Sequence, residues 1–306
     1  MIPARAQVRV DPVEAQDVSS VIDFLRKGFV PHLASEILRG LFEYRWMTEA
    51  EDKPNLGFAL RSGNRIVGFI GAIYAVRQLA GRTVKVCNLS SWYVEPRFRW
   101  ASMKLLYALL AQKEYIFTNF TASPKVGRVM EALGFKTIDR QKLVYLPWHI
   151  SRAMFGRHRC DVVADLNEIA DILQGDERQF FEDHLQYRVK HYVIGNADRY
   201  SYIVLKRRSF PGEVAFGSIP IQRVRLMWYP CMEVLYLGNR KLAIEKWPSL
   251  VAAMIRREKV LAVVAAERFF GDRAPVGVRL DHRNYLLARA PLDWAVDSLY
   301  SEWVVM

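Results

Sequence analysis

VCNLSSWYVEPRFRWASMKLLYALL (residues 86–110), followed by YIFTNF (115–120) and TASPKVGRVMEALGF (121–135), decides how this chain is read. An apolar run is broken by Glu95-Pro96, a basic turn carries Arg97 and Arg99, and a helical pattern opens at Trp100. A second short apolar strand and a helix ending in Gly134-Phe135 complete the window. The first N–H groups of a helix lack internal partners and carry the positive end of its dipole. A helix start flanked by arginines therefore suits a pyrophosphate, and an anionic cofactor with a phosphate tail is expected there.

Working outward, the N-terminal side predicts a strand at 7–10, a helix over 13–27 and a second helix over 31–46, with Pro31 as the break between them. Leu56 to Arg61 and Arg65 to Arg77 read as strands joined at Ser62-Gly63-Asn64, a tight-turn sequence. A turn near Gly81 leads into a central strand over 84–94, so a three-stranded antiparallel meander precedes the cofactor helix. Met103, Leu106, Tyr107 and Leu110 make the expected apolar stripe of that helix, and 115–119 is expected to lie parallel to the central strand.

After Trp148 a basic connector over 151–159 introduces a second unit. A helical stretch ends at Phe180-Phe181, strands are expected at 188–194, 200–206, 224–228 and 233–237, then a helix over 244–257 and a strand over 260–266. The order of meander, helix and strand thus occurs twice. Domains over 1–150 and 151–306 follow. The second lacks the basic turn, having Leu237-Gly238-Asn239-Arg240 before its helix, and is expected to bind no cofactor and to shape the acceptor site.

At 306 residues and 51% hydrophobic content the chain can fill two cores. No run has the ~18–20 apolar residues of a membrane span, and MIPARAQVRVD has no signal-peptide core, so a cytoplasmic protein is expected. Cys87, Cys160 and Cys231 are far apart, odd in number and form no C-x-x-C pair, so neither a disulfide framework nor a zinc site is indicated. A net charge of +12 draws anions, but its spread along the chain argues against a nucleic-acid-binding arm.

Tyr93-Val94-Glu95-Pro96-Arg97-Phe98-Arg99 resembles the V-x-P-x-x-R signature of the GNAT superfamily of acyl-CoA N-acyltransferases, and Glu131 to Phe135 resembles its later E-x-x-G-F. The resemblance implies an α/β (α+β) fold of two tandem GNAT-like domains of bacterial type, each a mixed, mostly antiparallel sheet flanked by helices. It implies acyl-CoA, acetyl or longer, as co-substrate, with no metal. Tyr93, Val94, Arg97, Arg99, Trp100, Ala101, Ser102, Met103, Lys104, Asn119 and Ser123 would contact it. The family's pyrophosphate turn is R/Q-x-x-G-x-G/A, whereas this chain has Arg99-Trp100-Ala101-Ser102-Met103-Lys104. Ser102 permits close backbone approach, while Lys104 is large where the family is small and adds a charge if it swings outward. Met130 stands where many members have a proton-donating tyrosine, a tolerable loss because a thiol with pKa ~8.5 is a fair leaving group. The ending 296–303 is similar to the acid-tipped last strand of tandem members.

An acyl transfer to an amine needs a polarised thioester and a proton acceptor. Family geometry puts backbone N–H groups around Ser90 and Ser91, at an expected bulge, next to the thioester carbonyl. Asn88, Ser90, Tyr74, His32 and Glu36 are the candidates for handling the amine's proton. Glu95 is expected to play an electrostatic or structural part, and Ser123-Pro124 to cap a helix. Glu182-Asp183-His184 reads as a solvated helix end, because adjacent helical residues face different ways; His191-Tyr192 and Asp281-His282 read as ordinary.

The expected function is N-acyl transfer to the amine of a small metabolite, such as an amino sugar nucleotide or amino acid, with an acyl carrier protein as a second source of the thioester. Two rivals keep the fold: a Fem-type aminoacyl transferase using charged tRNA, and a non-enzymatic CoA-sensing protein motivated by Met130 and Lys104.

Overall fold

The computed structural model describes residues 7–47, 53–79, 82–147, 161–215, 223–289 and 297–306. The basic connector expected over 151–159 lies outside them. Two compact units emerge: the described parts of Met1–Thr137, Asn284–Trp294 and Tyr300–Met306, and those of Ile138–Arg283 and Ala295–Leu299.

Unit 1 opens with β1 (Arg9–Pro12), a 3-10 turn and α1 (Val18–Gly28). α1 buries Val18, Val21, Ile22, Phe24 and Leu25, the three- and four-residue spacing of its apolar positions. The helix expected over 31–46 shrinks to α2 (Ser35–Arg39): residues 31–33 form a turn after Pro31, and Gly40 ends the helix one turn later. β2 (Gly57–Ser62), β3 (Arg65–Leu79) and β4 (Arg82–Val94) form the antiparallel meander. A 3-10 turn over Pro96–Ala101 precedes α3 (Ser102–Leu110), and β5 (Tyr115–Ala122) then pairs parallel to β4, as expected.

That 3-10 turn delays the helix by two residues and rotates its apolar face. Leu105, Leu106 and Leu109 are buried, each contributing about 1.5–3 kcal/mol, while Tyr107, expected in the stripe, is exposed. α3 packs with Leu60, Val67, Ile70, Tyr74, Cys87, Leu89, Val94 and Phe117 in the unit 1 core. α4 (Pro124–Ala132) is capped by Ser123 Oγ, which accepts from Val126 N at 3.4 Å. It stops at Gly134, whose φ of +87° closes the turn that sends Phe135 into the core.

Next comes β6 (Lys136–Tyr145), which pairs antiparallel not with β5 but with β11 (Ala262–Ala266) of unit 2. The place beside β5 goes to residues 285–289 of β12 (Val278–Arg289). Each unit thus takes its strand after the parallel pair from the distant half of the chain. This is why the clusters divide at Thr137/Ile138 and not at 150.

Unit 2 repeats the plan. After β7 (Val162–Val163), α5 (Leu166–Ile172) and α6 (Gly175–His184), a meander runs through β8 (Val189–Asn196), β9 (Arg199–Ala215) and β10 (Arg223–Leu237). The two strands expected at 224–228 and 233–237 are one, with register shifts between Leu226 and Tyr229 and between Val234 and Tyr236. α7 (Arg240–Glu258) leads to β11, which runs parallel to β10 from Cys231–Ala262 to Glu233–Val264. Trp247, Leu250, Val251 and Met254 of α7 pack on Tyr145, Ile203, Met232 and Val263. The chain ends in unit 1 with α8 (Glu302–Val305), a short helix where an acid-tipped strand was expected.

Candidate functional site

The parallel ladder between β4 and β5 runs only from Lys85–Tyr115 to Asn88–Thr118. Past that point β4 keeps its pairing with β3, and β5 keeps its pairing with β12 on its other edge, which begins at Phe117. Two residues later β4 bulges: Gly71 faces Ser90 and Phe69 faces Tyr93, so β4 has one residue more than β3 between those pairs. Ser91 sits there with φ of 52°, in the left-handed region, a strained choice for a residue with a Cβ. Ser90 is buried and its Oγ lies 3.3 Å from Ser91 Oγ. The bulge expected at Ser90-Ser91 is present, at the mouth of the gap between two diverging strands.

Asn88 is 1% exposed and accepts from Thr118 Oγ1 at 3.1 Å. Its Nδ2 donates to Glu302 of α8, and Thr121 Oγ1 on β5 donates to the other Glu302 oxygen at 2.6 Å. One donor from each side of the divergence therefore grips a carboxylate that the sequence reading had not singled out for the site. Its only sequence signal was an acid in the resemblance of the chain ending. The segment carrying it is fixed by Tyr300, whose ring meets Trp46 edge-on at 5.3 Å and lies 4.9 Å from the Arg77 guanidinium.

At the end of β4, Phe98 and Ala101 are buried and anchor the 3-10 turn. Arg97, Arg99, Trp100 and Lys104 are then left exposed on its outer side, with Ser102 and Met103 half-buried. Neither Arg97 nor Arg99 has a carboxylate partner among the described residues. Glu95 is taken by Arg65 in a two-point pair at 2.9 and 3.1 Å, a structural use of that acid. Val94 is buried against α3, so only its main chain is open to a ligand. Tyr93 points the other way, stacking on Phe29 at 5.6 Å and lining a 520 Å³ cavity with Phe24, Lys27 and Arg65.

Other sequence candidates are placed elsewhere. Tyr74 faces α3, with its hydroxyl donating to Asn55 at 2.9 Å and receiving from Gln112 at 3.0 Å; burial raises its pKa far above the usual phenol range. Pairing Tyr74 with Cys87 puts both on the face opposite Asn88, away from the gap. His32 is exposed in the turn after α1, and Glu36 is exposed on α2, so the helix start expected at residue 31 does not form there. Asn119 is buried and bonds within the protein, accepting from Thr121 N at 3.1 Å and reaching Met130 Sδ at 3.7 Å.

Unit 2 fills the matching position differently. Glu233, the last residue of its parallel ladder, meets Lys142 Nζ at 2.5 Å and Arg208 Nε at 3.7 Å. Burial works to raise its carboxyl, but these cations outweigh it and hold the pKa below the carboxylate range. The main chain of β10 just beyond is used, since Ser298 N donates to Leu235 O at 3.1 Å. Arg268 joins Ser298 to the buried Asp139, which it contacts at 2.8 Å. Arg240, at the start of α7, donates to Arg268 O. His184 is not at a solvated helix end but is buried, held between Phe180 O and Leu299 O at 2.7 and 3.0 Å. Glu182 does face solvent, paired with Arg178. His191 is buried against Tyr202, its Nδ1 2.7 Å from the hydroxyl. Among the described residues no group of three His, Cys, Asp or Glu could hold a metal, and no helix is long and apolar enough to cross a membrane.

This strand order, an antiparallel meander followed by a helix and a strand parallel to the meander's last strand, is that of the GNAT fold, present here in two copies, of which only the first shows a basic turn ahead of the helix among the described residues. The chain is similar to a GCN5-related N-acetyltransferase from Kribbella flavida at TM-score 0.59 and 14% identity, over 94% of this chain and 72% of that one. It is similar to another from Anabaena variabilis at TM-score 0.55 and 12% identity, over 92% and 72% of the two chains. A putative acetyltransferase from Pyrococcus horikoshii matches at TM-score 0.52 and 9% identity, over 96% and 93%. No protein-family profile and no curated protein sequence matches.

Proposed function

We propose that this chain is an acyl-CoA-dependent N-acyltransferase whose donor site lies in unit 1. The observation that carries the reading is the divergence of β4 from β5 after Asn88–Thr118, with the Ser91 bulge at its mouth and the exposed Arg97 and Arg99 at its end. A pantetheine arm enters such a gap as an added strand, bonding to main-chain groups of β4. The pyrophosphate rests on the first N–H groups of α3, with Arg97, Arg99 and Lys104 adding charge contacts.

The acceptor is the amine of a small metabolite. Its neutral nitrogen attacks the thioester carbonyl carbon, and the developing oxyanion is met by main-chain N–H groups of the Ser90–Ser91 bulge. Collapse breaks the C–S bond and releases CoA thiolate, which a group of pKa ~8.5 permits without an acid from Met130. The amide nitrogen's remaining excess proton leaves with the thiolate as thiol.

The test is thiol release from acetyl-CoA, butyryl-CoA and palmitoyl-CoA against a panel of amino acids, amino sugars and polyamines. Amine-dependent release with one donor supports the reading. Binding of acyl-CoA with no release against any amine supports the CoA-sensing alternative.

A further inference from the structure

We infer that the outer faces of α3 and α4 form a docking surface for an acidic acyl carrier protein, whose phosphopantetheine arm enters the gap beside β4. The inference rests on the proposed donor site and names a second bearer of its thioester. β4 and β5 are parallel neighbours, and α3 follows the end of the first as α4 follows the end of the second. Both helix starts therefore lie at one end of the sheet, on either side of the point where the strands part. Both helices also pack on one core, α3 through Leu105, Leu106 and Leu109 and α4 through Met130, so their outer faces look to the same side.

Those faces carry aromatic rings among unpaired cations. Tyr107, expected in the apolar stripe of α3, is 55% exposed, and Trp100 is 42% exposed. Lys104 stands between them, one turn from Tyr107 and with Nζ 5.9 Å from the centre of the Trp100 ring. On α4, Lys125 and Arg128 are exposed three residues apart and so share a face. None of these three cations, and neither Arg97 nor Arg99, has a carboxylate partner among the described residues. Glu131, the next acid along α4, instead accepts from Thr137 Oγ1 at 2.7 Å. Such a mixture of exposed rings and free cations is the composition of an interface whose partner is acidic.

CoA alone leaves much of this surface unused. Its pyrophosphate is met within the first turn of α3, whereas Tyr107 lies five residues past Ser102, ~7.5 Å further along at about 1.5 Å per residue. A second copy of the chain is a poor partner, since two bodies of charge +12 repel. A carrier protein fits because a phosphodiester tethers its pantetheine to its own acidic surface, so the arm reaches the gap as the acids reach the cations. Charged tRNA would also meet the cations, but its acyl-bearing ribose has no amides to pair with the main chain of β4. The transfer is that of the CoA reaction: the amine nitrogen forms the C–N bond, the C–S bond breaks, and the pantetheine thiolate leaves with a proton given up by the amine.

The experiment uses the full chain, a fluorescently labelled acidic bacterial acyl carrier protein in its acetylated form, and acetyl-CoA. Carrier binding is followed by anisotropy and acetyl-CoA binding by the rise in thermal midpoint. The expected result is carrier binding that weakens as salt rises and that Tyr107→Glu and Arg128→Glu each reduce about tenfold. The acetyl-CoA-induced rise should stay unchanged in both variants. If Tyr107→Glu shifts the midpoint without ligand, Tyr107→Ala replaces it and should still weaken the carrier. A wild type that responds to acetyl-CoA but binds no carrier, variants that bind the carrier as the wild type does, or variants that lose both donors alike overturn the docking surface. So does tighter binding of tRNA or of phosphatidylglycerol vesicles that the same variants abolish, which gives the face to another polyanion. A wild type that responds to neither donor brings down the gap itself, and the docking surface with it.

Discussion

Replacing Ser102 by Glu separates ligand binding from folding because the two respond with opposite signs. Ser102 is the first residue of α3 and half-buried at the proposed pyrophosphate seat. Without ligand, a carboxylate in a helix's first turn is favourable by about 0.3–1 kcal/mol, so the variant's midpoint should hold or rise slightly. With ligand, a carboxylate about 5 Å from one phosphate charge, at an effective dielectric of about 20, is repelled by about 3 kcal/mol. That weakens binding about 150-fold. At a concentration 100 times the wild-type dissociation constant, acetyl-CoA stabilises the wild type by about 2.7 kcal/mol, but the variant by only about 0.3 kcal/mol. The assay is a thermal midpoint measured with and without acetyl-CoA on both proteins. A variant that keeps its full ligand-induced rise refutes the placement of the phosphates at α3.

Other consequences can be checked independently. Replacing Arg97 and Arg99 together by Ala should leave stability within about 0.5 kcal/mol, since both are exposed and neither has a carboxylate partner among the described residues, yet weaken acetyl-CoA about tenfold or more and flatten the salt dependence seen by calorimetry. Gly40→Ala sets a Cβ 2.4 Å from the Val305 carbonyl oxygen, a main-chain contact that must give way, so the midpoint should fall by an equivalent of about 1–3 kcal/mol and Trp46 fluorescence should shift as Tyr300 moves. Burial pulls His191 down to about 4 from an ordinary 6.5. The unfolded chain therefore binds a proton that the folded chain refuses between pH 6.5 and 4, and stability drains as pH falls through that window, by about 3 kcal/mol in all. Urea unfolding of the wild type and His191→Phe from pH 7 to 4.5 should show a shallower acid loss in the variant; parallel curves would count against this assignment.

What the sequence makes legible follows from which signals are local. The meander and the strand after α3 were readable because period-two patterns, a Ser-Gly-Asn turn and a break at Glu95-Pro96 act within a few residues, whereas the Ser90–Ser91 bulge was expected only from the family resemblance. The phase of α3 was misread because a 3-10 turn and an α-helix start share the same Pro-led sequence, and only packing of Phe98 and Ala101 distinguishes them. Strand exchange was out of reach, since the pattern of residues 136–145 says strand but not which neighbour. Tyr74 stood beside Asn88 as a candidate for the same reason: alternation says that Tyr74 and Asn88 are in strands, but only the Tyr74–Cys87 register sets them on opposite sides. Glu302 is distant by more than two hundred positions from Asn88, and no motif joins them.

The most direct measurement is titration calorimetry of the full chain with acetyl-CoA, because it counts sites. Among the described residues only unit 1 couples a basic helix start to the divergent pair; in unit 2 the edge of β10 takes the Ser298 amide and Glu233 is ion-paired. One acetyl-CoA per chain, weakening as salt rises, is the expected result. No heat of binding, or two equivalent sites per chain, would contradict it.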